Sequence, residues 1–355
     1  MQILQNVRGF TYNELKVATN GFRSSNKIGE GGFGPVYKGR LQDGTTVAVK
    51  VLSTESKQGD KEFMSEMASM SKISHENLVK LHGGCIDGPF RILVYEYMEN
   101  NSLARLLQDG GKSKVLISNW EYRRKLALGI ARGLAYIHEE VHPHIVHRDI
   151  KASNIVLDQN FNPKISDFGL SKLFPENITH ITTGVAGTLG YLAPEYAISG
   201  RLTRKSDVYS FGVLLLEIVS GRSAVDFDLE LGEHYLVEKA WEMYKNDKLR
   251  NLVQVKPNNS TRNFLEEEEA VRFLKIGLLC VQENSRLRPI MSMAIRMMNK
   301  EIDIDDVEVS TPGLINNIMD LKIAKHKSTS LHNHQTNINM MQSPQSFLIS
   351  MSKLN

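Results

Sequence analysis

The chain is poor in cysteine, nearly balanced in charge and without a long apolar run. Its 355 residues include two cysteines, Cys85 and Cys280. Two thiols in apolar surroundings build no disulfide framework and suit a reducing compartment. The formal net charge of +3 gives no general electrostatic case for nucleic acid as a partner. No stretch reaches the ~18 consecutive apolar residues of a transmembrane segment. The start, Met1-Gln2, lacks a signal-peptide pattern and the Met-Gly beginning of N-myristoylation. Among eleven histidines there is no zinc-ligand spacing beyond a loose pair, His332 and His334, in a polar tail. The expected location is therefore the cytoplasm, with any plasma-membrane association made through partners.

What is present begins with glycine. Residues 28 to 50 read IGEGGFGPVYKGRLQDGTTVAVK. Gly29, Gly31 and Gly34 punctuate a segment of strand formers, and a second strand-like run, Thr46 to Val49, delivers Lys50. Glycine lets a backbone approach a phosphate because no Cβ intervenes, and a lysine adds fixed positive charge against the same polyanion. Alone, such a glycine run also fits an ordinary hairpin turn. A dinucleotide fingerprint would open a helix here, but Pro35, Val36 and Tyr37 read as a returning strand. A phosphate loop of the Gly-Lys-Ser/Thr type is excluded, because Pro35 follows Gly34. Lys50 in VAVK shifts the balance towards a kinase-type loop.

Further motifs follow in order: IVHRDIKASNIVLD at 145 to 158, KISDFG at 164 to 169, GTLGYLAPE at 187 to 195 and SDVYSFGVLLLEI at 206 to 218. This set resembles the eukaryotic protein kinases over about residues 25 to 300. FTYNELKVATNGF, ENLVKLHGGCIDG and LTRKSDVYSFGVLLLEIVSGR resemble, more narrowly, the plant receptor-like kinases. Among these the chain is most similar to the receptor-like cytoplasmic kinases of the cold-responsive protein kinase type. The resemblance implies an α+β, bilobal protein kinase fold, with a small antiparallel β-lobe carrying one helix and a larger, mostly helical lobe. It implies ATP and Mg²⁺ as cofactors, proteins as substrates and an upstream receptor kinase as a partner, with no nucleic acid and no transmembrane segment.

The expected organisation is an N-terminal segment, 1 to 24, a kinase domain, 25 to 302, and a disordered tail, 303 to 355 rich in Asn, Ser, Gln and Lys. Within the first, Thr11 and Glu14 form a capping-box pattern ahead of Leu15, Ala18 and Phe22, which predicts a short helix. The small lobe, 25 to 98, should carry a helix from about Gln58 to Ser71, with Phe63, Met67 and Met70 on one face. Glu66 borders that apolar stripe, where a carboxylate is costly unless paired, and Lys50 is the partner that the resemblance implies. Glu62 is a competing candidate. In the large lobe, 99 to 302, one helix is expected over Trp120 to Val141. A second, Asp207 to Val219, is apolar nearly all round, with Asp207 capping it and anchoring the catalytic loop. The resemblance implies that Arg288 pairs with Glu195.

The resemblance also assigns roles. Ile28, Gly29, Glu30, Gly31, Gly32, Phe33, Gly34, Val36 and Ala48 should enclose ATP, with Phe33 at the loop tip excluding water. Lys50, oriented by Glu66, should meet the α- and β-phosphates. Tyr95 should close the back of the adenine pocket, with Glu96, Tyr97 and Met98 offering backbone groups to the ring. Asp167 and Asn154 supply hard oxygens suited to Mg²⁺. Asp149 should accept or orient the substrate hydroxyl proton, and Lys151 should neutralise the moving phosphate. Lys151 and GTLGYLAPE match the serine/threonine pattern, with Thr188 reaching Asp149 and Lys151; tyrosine remains open as a further acceptor.

Arg148 precedes Asp149, and the resemblance implies that it awaits a phosphate on the activation loop. That loop offers Ser171, Thr179, Thr182, Thr183 and Thr188, with Thr183 the primary expected site and Thr179 and Thr182 secondary. Two rival readings stand beside the active enzyme. One is a catalytically dead scaffold, disfavoured because Lys50, Asp149, Asn154 and Asp167 are all in place. The other is the cytoplasmic part of a membrane receptor.

Overall fold

Six strands in one sheet form the frame of the small lobe. The computed structural model describes residues 7–31, 34–52, 57–108, 116–228, 232–253 and 261–314. In chain order the small lobe comprises β1 (Arg8–Gly9), α1 (Tyr12–Ala18), β2 (Lys27–Gly31), β3 (Gly34–Arg40), β4 (Thr46–Leu52), α2 (Lys57–Met70), β5 (Leu81–Asp87) and β6 (Phe90–Glu96). The strand order is β1-β5-β6-β4-β3-β2. All neighbours are antiparallel except β1, which runs parallel to β5.

The period-two alternation of β4 sorts its side chains to opposite faces. Val47 and Val49 are buried with Phe10, Leu15, Cys85, Ile92 and Val94. Ala48 and Lys50 fall on the other side and line the cleft between the lobes. The first face is covered by α1, which begins with the expected capping box: Glu14 N–H donates to Thr11 Oγ1 at 3.2 Å and Thr11 N–H donates to Glu14 Oε2 at 2.8 Å. On the second face, Phe63 and Met67 of α2 pack on Leu52 and Leu93. The N-terminal helix is thus one layer of the small lobe, and the sheet lies between it and α2.

The large lobe carries α3 (Leu103–Gln108), α4 (Trp120–Ala135), α5 (Pro194–Ser199), α6 (Arg204–Ser220), α7 (Leu236–Lys245), α8 (Thr261–Cys280) and α9 (Met291–Met298). Every residue of α6 from Ser206 to Ser220 is buried, as its lack of a polar face requires. Its N-cap is Thr203, which leaves Asp207 free for another task. The helix expected over 120 to 141 stops as an α-helix at Ala135 and continues as one wider turn, Tyr136–Glu140, in which Val141 N–H reaches Tyr136 O at 3.1 Å. This turn brings the His138 ring to Asp207, at 2.9 Å, and its carbonyl to Arg204, at 2.7 Å.

Residues 303 to 314 were expected to belong to a disordered tail, and the structure orders them. Residues 303 to 314 lie against the large lobe, with Ile304 and Val309 buried. Gly313 N–H donates to Val281 O at 3.0 Å, and its carbonyl accepts from Tyr209 Oη at 2.6 Å. Scattered apolar residues, a backbone clasp and the bonds from Ser310 to Gln282 Oε1 hold this segment, which is why a polar composition hid it. Residues 315 to 355 lie outside the described residues. Among the described residues no helix is long and apolar enough to cross a membrane.

Candidate active site

The cleft between the lobes encloses about 760 Å³. Its roof is the β2–β3 hairpin and β4, from which Ile28, Gly29, Glu30, Gly34, Val36, Ala48 and Lys50 line it. Gly31 pairs with Gly34 across the hairpin, while Gly32 and Phe33 lie outside the described residues. Gly34 is required: its φ is +127°, and a Cβ there would stand 2.1 Å from Val51 O.

Lys50 Nζ lies 2.6 Å from Glu66 Oε1 and 2.6 Å from Asp167 Oδ1. Glu66, fully buried, is therefore the partner in place of the competing Glu62. The other Glu66 oxygen accepts from the Tyr95 hydroxyl. Sequence placed Tyr95 only as a wall of the adenine pocket, and its phenol is the one clue to this second bond. Burial alone would strip the proton from Lys50, but Asp167 and Glu66 outweigh it and hold the ammonium well above its ordinary pKa. Burial acts the other way on Asp167 and would raise it, yet Lys50 holds it below the usual carboxylate range. Burial pushes Glu66 up to about 7 against the pull of Lys50.

A second cluster faces the first across the cleft. Asp149 Oδ1 accepts from Thr188 Oγ1 at 2.7 Å, and its Oδ2 lies 2.9 Å from both Lys151 Nζ and Asn154 Nδ2. Lys151 Nζ also donates to Thr188 Oγ1 at 2.7 Å. Asn154 Nδ2 also donates to Asp149 O at 2.8 Å, so its amide nitrogen is spent and its carbonyl oxygen is left available to a cation. Thr188 belongs to this cluster, and a phosphate there would face the Asp149 carboxylate, so it is withdrawn as a regulatory site.

The loop carrying Asp149 is held from below. Asp207 accepts from the backbone N–H of His147 at 2.7 Å and of Arg148 at 2.8 Å. Its burial would favour the neutral acid, but His138 and those donors keep the carboxyl below its ordinary range. This support holds Arg148 at φ +74°, and Asp167 stands at φ +66°. Both are non-glycine residues in left-handed conformations, which cost energy and persist where the surroundings fix them.

The hinge residues Glu96, Tyr97 and Met98 line the cleft. The Glu96 carboxylate faces away, bonded to Lys164 Nζ at 2.9 Å and to Lys80 N–H at 2.7 Å. Tyr97 lies under Lys38 Nζ, 4.4 Å from the ring centre. Farther out, Arg288 grips Glu195 through two bonds of 2.7 and 2.9 Å, as the sequence led us to expect.

A protein kinase domain model matches residues 22 to 298. The chain belongs to the protein kinase family. Similar kinases include cold-responsive protein kinase 1 of Arabidopsis thaliana, 54% identical over 90% of this chain and 81% of that protein. Two probable LRR receptor-like serine/threonine-protein kinases of the same plant are 51% and 50% identical over 86% of this chain. The chain spans 29% of the length of each of those two receptor-like kinases.

Two features of this kinase differ from expectation. Arg148 does not stand unpaired: its guanidinium donates to Tyr196 Oη at 3.1 Å, Leu170 O at 3.0 Å and Gly184 O at 2.7 Å. A buried arginine cannot leave its donors idle, and neutral acceptors fill the place assumed empty. Ser171 is 2% exposed and fully bonded, which removes it from the accessible hydroxyls of the loop. Thr179 and Thr182 are exposed and Thr183 is half-buried.

The loop from Gly187 to Leu192 has its own anchor on α6. Tyr191 donates its hydroxyl to Glu217 Oε2, while Ala224 N–H donates to Glu217 Oε1 at 2.8 Å. Burial pushes Glu217 up to about 7, against the bonds from Tyr191 and Ala224. Because the folded pKa exceeds the ordinary 4.5, the native state holds a proton that the unfolded chain has released. This contribution to stability is full below about 4.5, falls as pH rises to about 7 and is level above. Replacing Glu217 with Gln should remove that slope. The stability difference between variant and parent should change by up to about 3 kcal/mol between pH 5 and 7.5 in denaturant titrations; a difference independent of pH would contradict the assignment.

Proposed function

We propose that the chain is an active protein serine/threonine kinase that transfers the γ-phosphate of ATP to protein hydroxyls. The observation that carries this reading is the facing of two clusters in one cleft: Lys50, Glu66 and Asp167 on one side, Asp149, Lys151, Asn154 and Thr188 on the other. Phosphoryl transfer demands position and charge stabilisation more than covalent chemistry, and both clusters are bonded internally, with Lys50, Glu66, Asp149 and Asn154 buried. Lys50, fixed by Glu66, binds the α- and β-phosphates, and the glycine hairpin covers them. Asp149 orients the substrate hydroxyl and accepts its proton. Lys151 lies beside Asp149 and meets the negative charge on the transferred group. Thr188 ties the peptide-facing loop to both.

Among the described residues no group of three or more His, Cys, Asp or Glu could hold a metal alone. Mg²⁺ needs only one or two protein oxygens when phosphates complete its shell, and Asp167 with Asn154 offers that number. When bound there, Mg²⁺ would screen the phosphate charge. The rival scaffold reading has no missing group to rest on. Incubation of purified protein with ATP and Mg²⁺, followed by phosphoamino-acid analysis, should show phosphoserine and phosphothreonine. Folded, nucleotide-binding protein that phosphorylates neither itself nor a basic protein would support the scaffold instead.

Regulation follows from charge. No carboxylate pairs with Arg148 or Lys172 among the described residues, and burial, Arg148 and Lys61 all disfavour the charged form of Lys172. This cation cluster lacks an anion. Thr183 adjoins Gly184, whose carbonyl Arg148 already holds, so a phosphate on Thr183 supplies the missing charge; Thr179 and Thr182 are secondary. Thr183→Ala should lower kcat on the order of tenfold with little change in ATP affinity. Full activity in protein that mass spectrometry finds free of phosphate between residues 172 and 187 would refute this regulation.

Two free buried thiols, Cys85 and Cys280, favour the reducing cytoplasm. Contact with the plasma membrane would run through an upstream receptor kinase. The name of the cold-responsive relative motivates a role in stress signalling.

A further inference from the structure

Helix α2 must hold Glu66 within reach of Lys50, and its apolar anchors alone do not fix it. Phe63 and the flexible Met67 fill space without direction. The helix also carries Ser65 and Ser69, four residues apart and hence stacked on one side. Both turn to Ser171, which ends the short turn Phe168–Leu170 behind Asp167. Ser65 Oγ donates to Ser171 O at 2.8 Å, and Ser69 Oγ lies 2.7 Å from Ser171 Oγ. Ser171 Oγ donates to Phe168 O at 2.6 Å. A hydroxyl has one proton, and that of Ser171 is spent on a carbonyl, so Ser69 is the donor in their contact. The result is a directed relay, Ser69 to Ser171 to Phe168 O, with Ser65 as a second strap.

Ser69 and Ser171 are each 2% exposed, so water does not substitute for their bonds in this position. Buried hydroxyls are costly when unpaired. A shift of α2 by even an ångström or two would strand both, whereas an apolar contact would slide.

Resting on the kinase reading above, we propose that Ser65, Ser69 and Ser171 form a polar latch between helix α2 and the Phe168–Leu170 turn, and that this latch sets the fraction of molecules in which Glu66 reaches Lys50. The three are positioning residues. None touches the phosphates or the transferred group, and they act on catalysis through the population of the competent state.

The test compares Ser69→Ala, Ser171→Ala and their double variant with the parent, alongside Ser65→Ala and Ser65→Thr. Measured parental activity establishes the enzyme, and only ratios to it test the latch. Each alanine variant at 69 or 171 should lower kcat about threefold to thirtyfold, the effect of losing one or two buried hydrogen bonds. Because Ser69 acts through Ser171, the double variant should lose no more than about twice the larger single loss. Ser65, half-buried, tolerates a methyl group, so Ser65→Thr should keep the activity that Ser65→Ala loses. Hydrogen exchange should quicken in residues 57–70 of the alanine variants and stay unchanged in α6. Variants with kcat within twofold of the parent, multiplying losses in the double variant, or a fall in kcat without faster exchange in α2 would each overturn the latch. Should the buried variants fail to fold, the Ser65 pair decides: equal activity of Ser65→Ala and Ser65→Thr refutes the proposal, and rescue by threonine supports it.

Discussion

Replacing Asp149 with asparagine should lower phosphoryl transfer by about 10²- to 10⁴-fold while leaving ATP affinity close to that of the parent. Both carboxylate oxygens are committed: Oδ1 to Thr188, Oδ2 to Lys151 and Asn154. Asparagine is nearly isosteric, so the loop, held by Asp207, keeps its path. What changes is chemistry. An amide cannot accept a proton near neutral pH, and its NH₂ must face at least one of the three donors that the carboxylate satisfied. The Lys151 ammonium also loses its counter-charge. On the reading proposed above, the α- and β-phosphates meet the opposite cluster, where Lys50 contacts Glu66 and Asp167 and not Asp149. Rate and affinity should therefore separate. Single-turnover kinetics would measure the first and calorimetric nucleotide titration the second. A variant with near-parental turnover would remove Asp149 from the reaction, and one that loses nucleotide binding would show that the two clusters are not independent.

The residues that a sequence reveals best here are those whose chemistry depends on spacing. Lys50 is legible because strand alternation must aim it into the cleft opposite Val47 and Val49. Glu66 is legible because a carboxylate on an apolar helix face needs a cation. The Thr11–Glu14 box is legible because both halves of its bonding lie within one turn. Features made by distant side chains meeting were not legible. Nothing local tells that Tyr196, Leu170 and Gly184 saturate Arg148, or that Tyr95 bonds Glu66. Strand β1 has two residues, too few to show alternation. Its only signal is Gly83, where a Cβ would come within 2.0 Å of Arg8 O, so that glycine admits the parallel edge. The wide turn at 136–140 serves His138, whose partner lies 69 residues away. The three-serine contact joins α2 to a turn more than 100 residues later, and single serines carry no pattern at all.

Lys50 offers the other large effect, and two substitutions divide its roles. Its ammonium stands between Glu66 and Asp167 at 2.6 Å from each, and the residue is 7% exposed. Lys50→Met removes the charge proposed to meet the phosphates and should lower transfer by at least about 10²- to 10³-fold, the usual loss when one preorganised electrostatic contact goes. Lys50→Glu does this and more. It sets a third carboxylate beside two others in a buried space, where breaking an ion pair costs about 3–5 kcal/mol because a charge is left uncompensated. Protonation would relieve part of that repulsion, so the glutamate variant should recover stability as pH falls and the methionine variant should do so less. The two should then be equally inactive but unequally stable, with the gap between their unfolding midpoints widest above neutral pH. Denaturant titrations at pH 6 and 8, run beside the kinase assay, would measure both. Equal midpoints for the two variants at both pH values would mean that Glu66 and Asp167 do not share Lys50 as their common counter-charge, and substantial transfer by Lys50→Met would remove the lysine from catalysis.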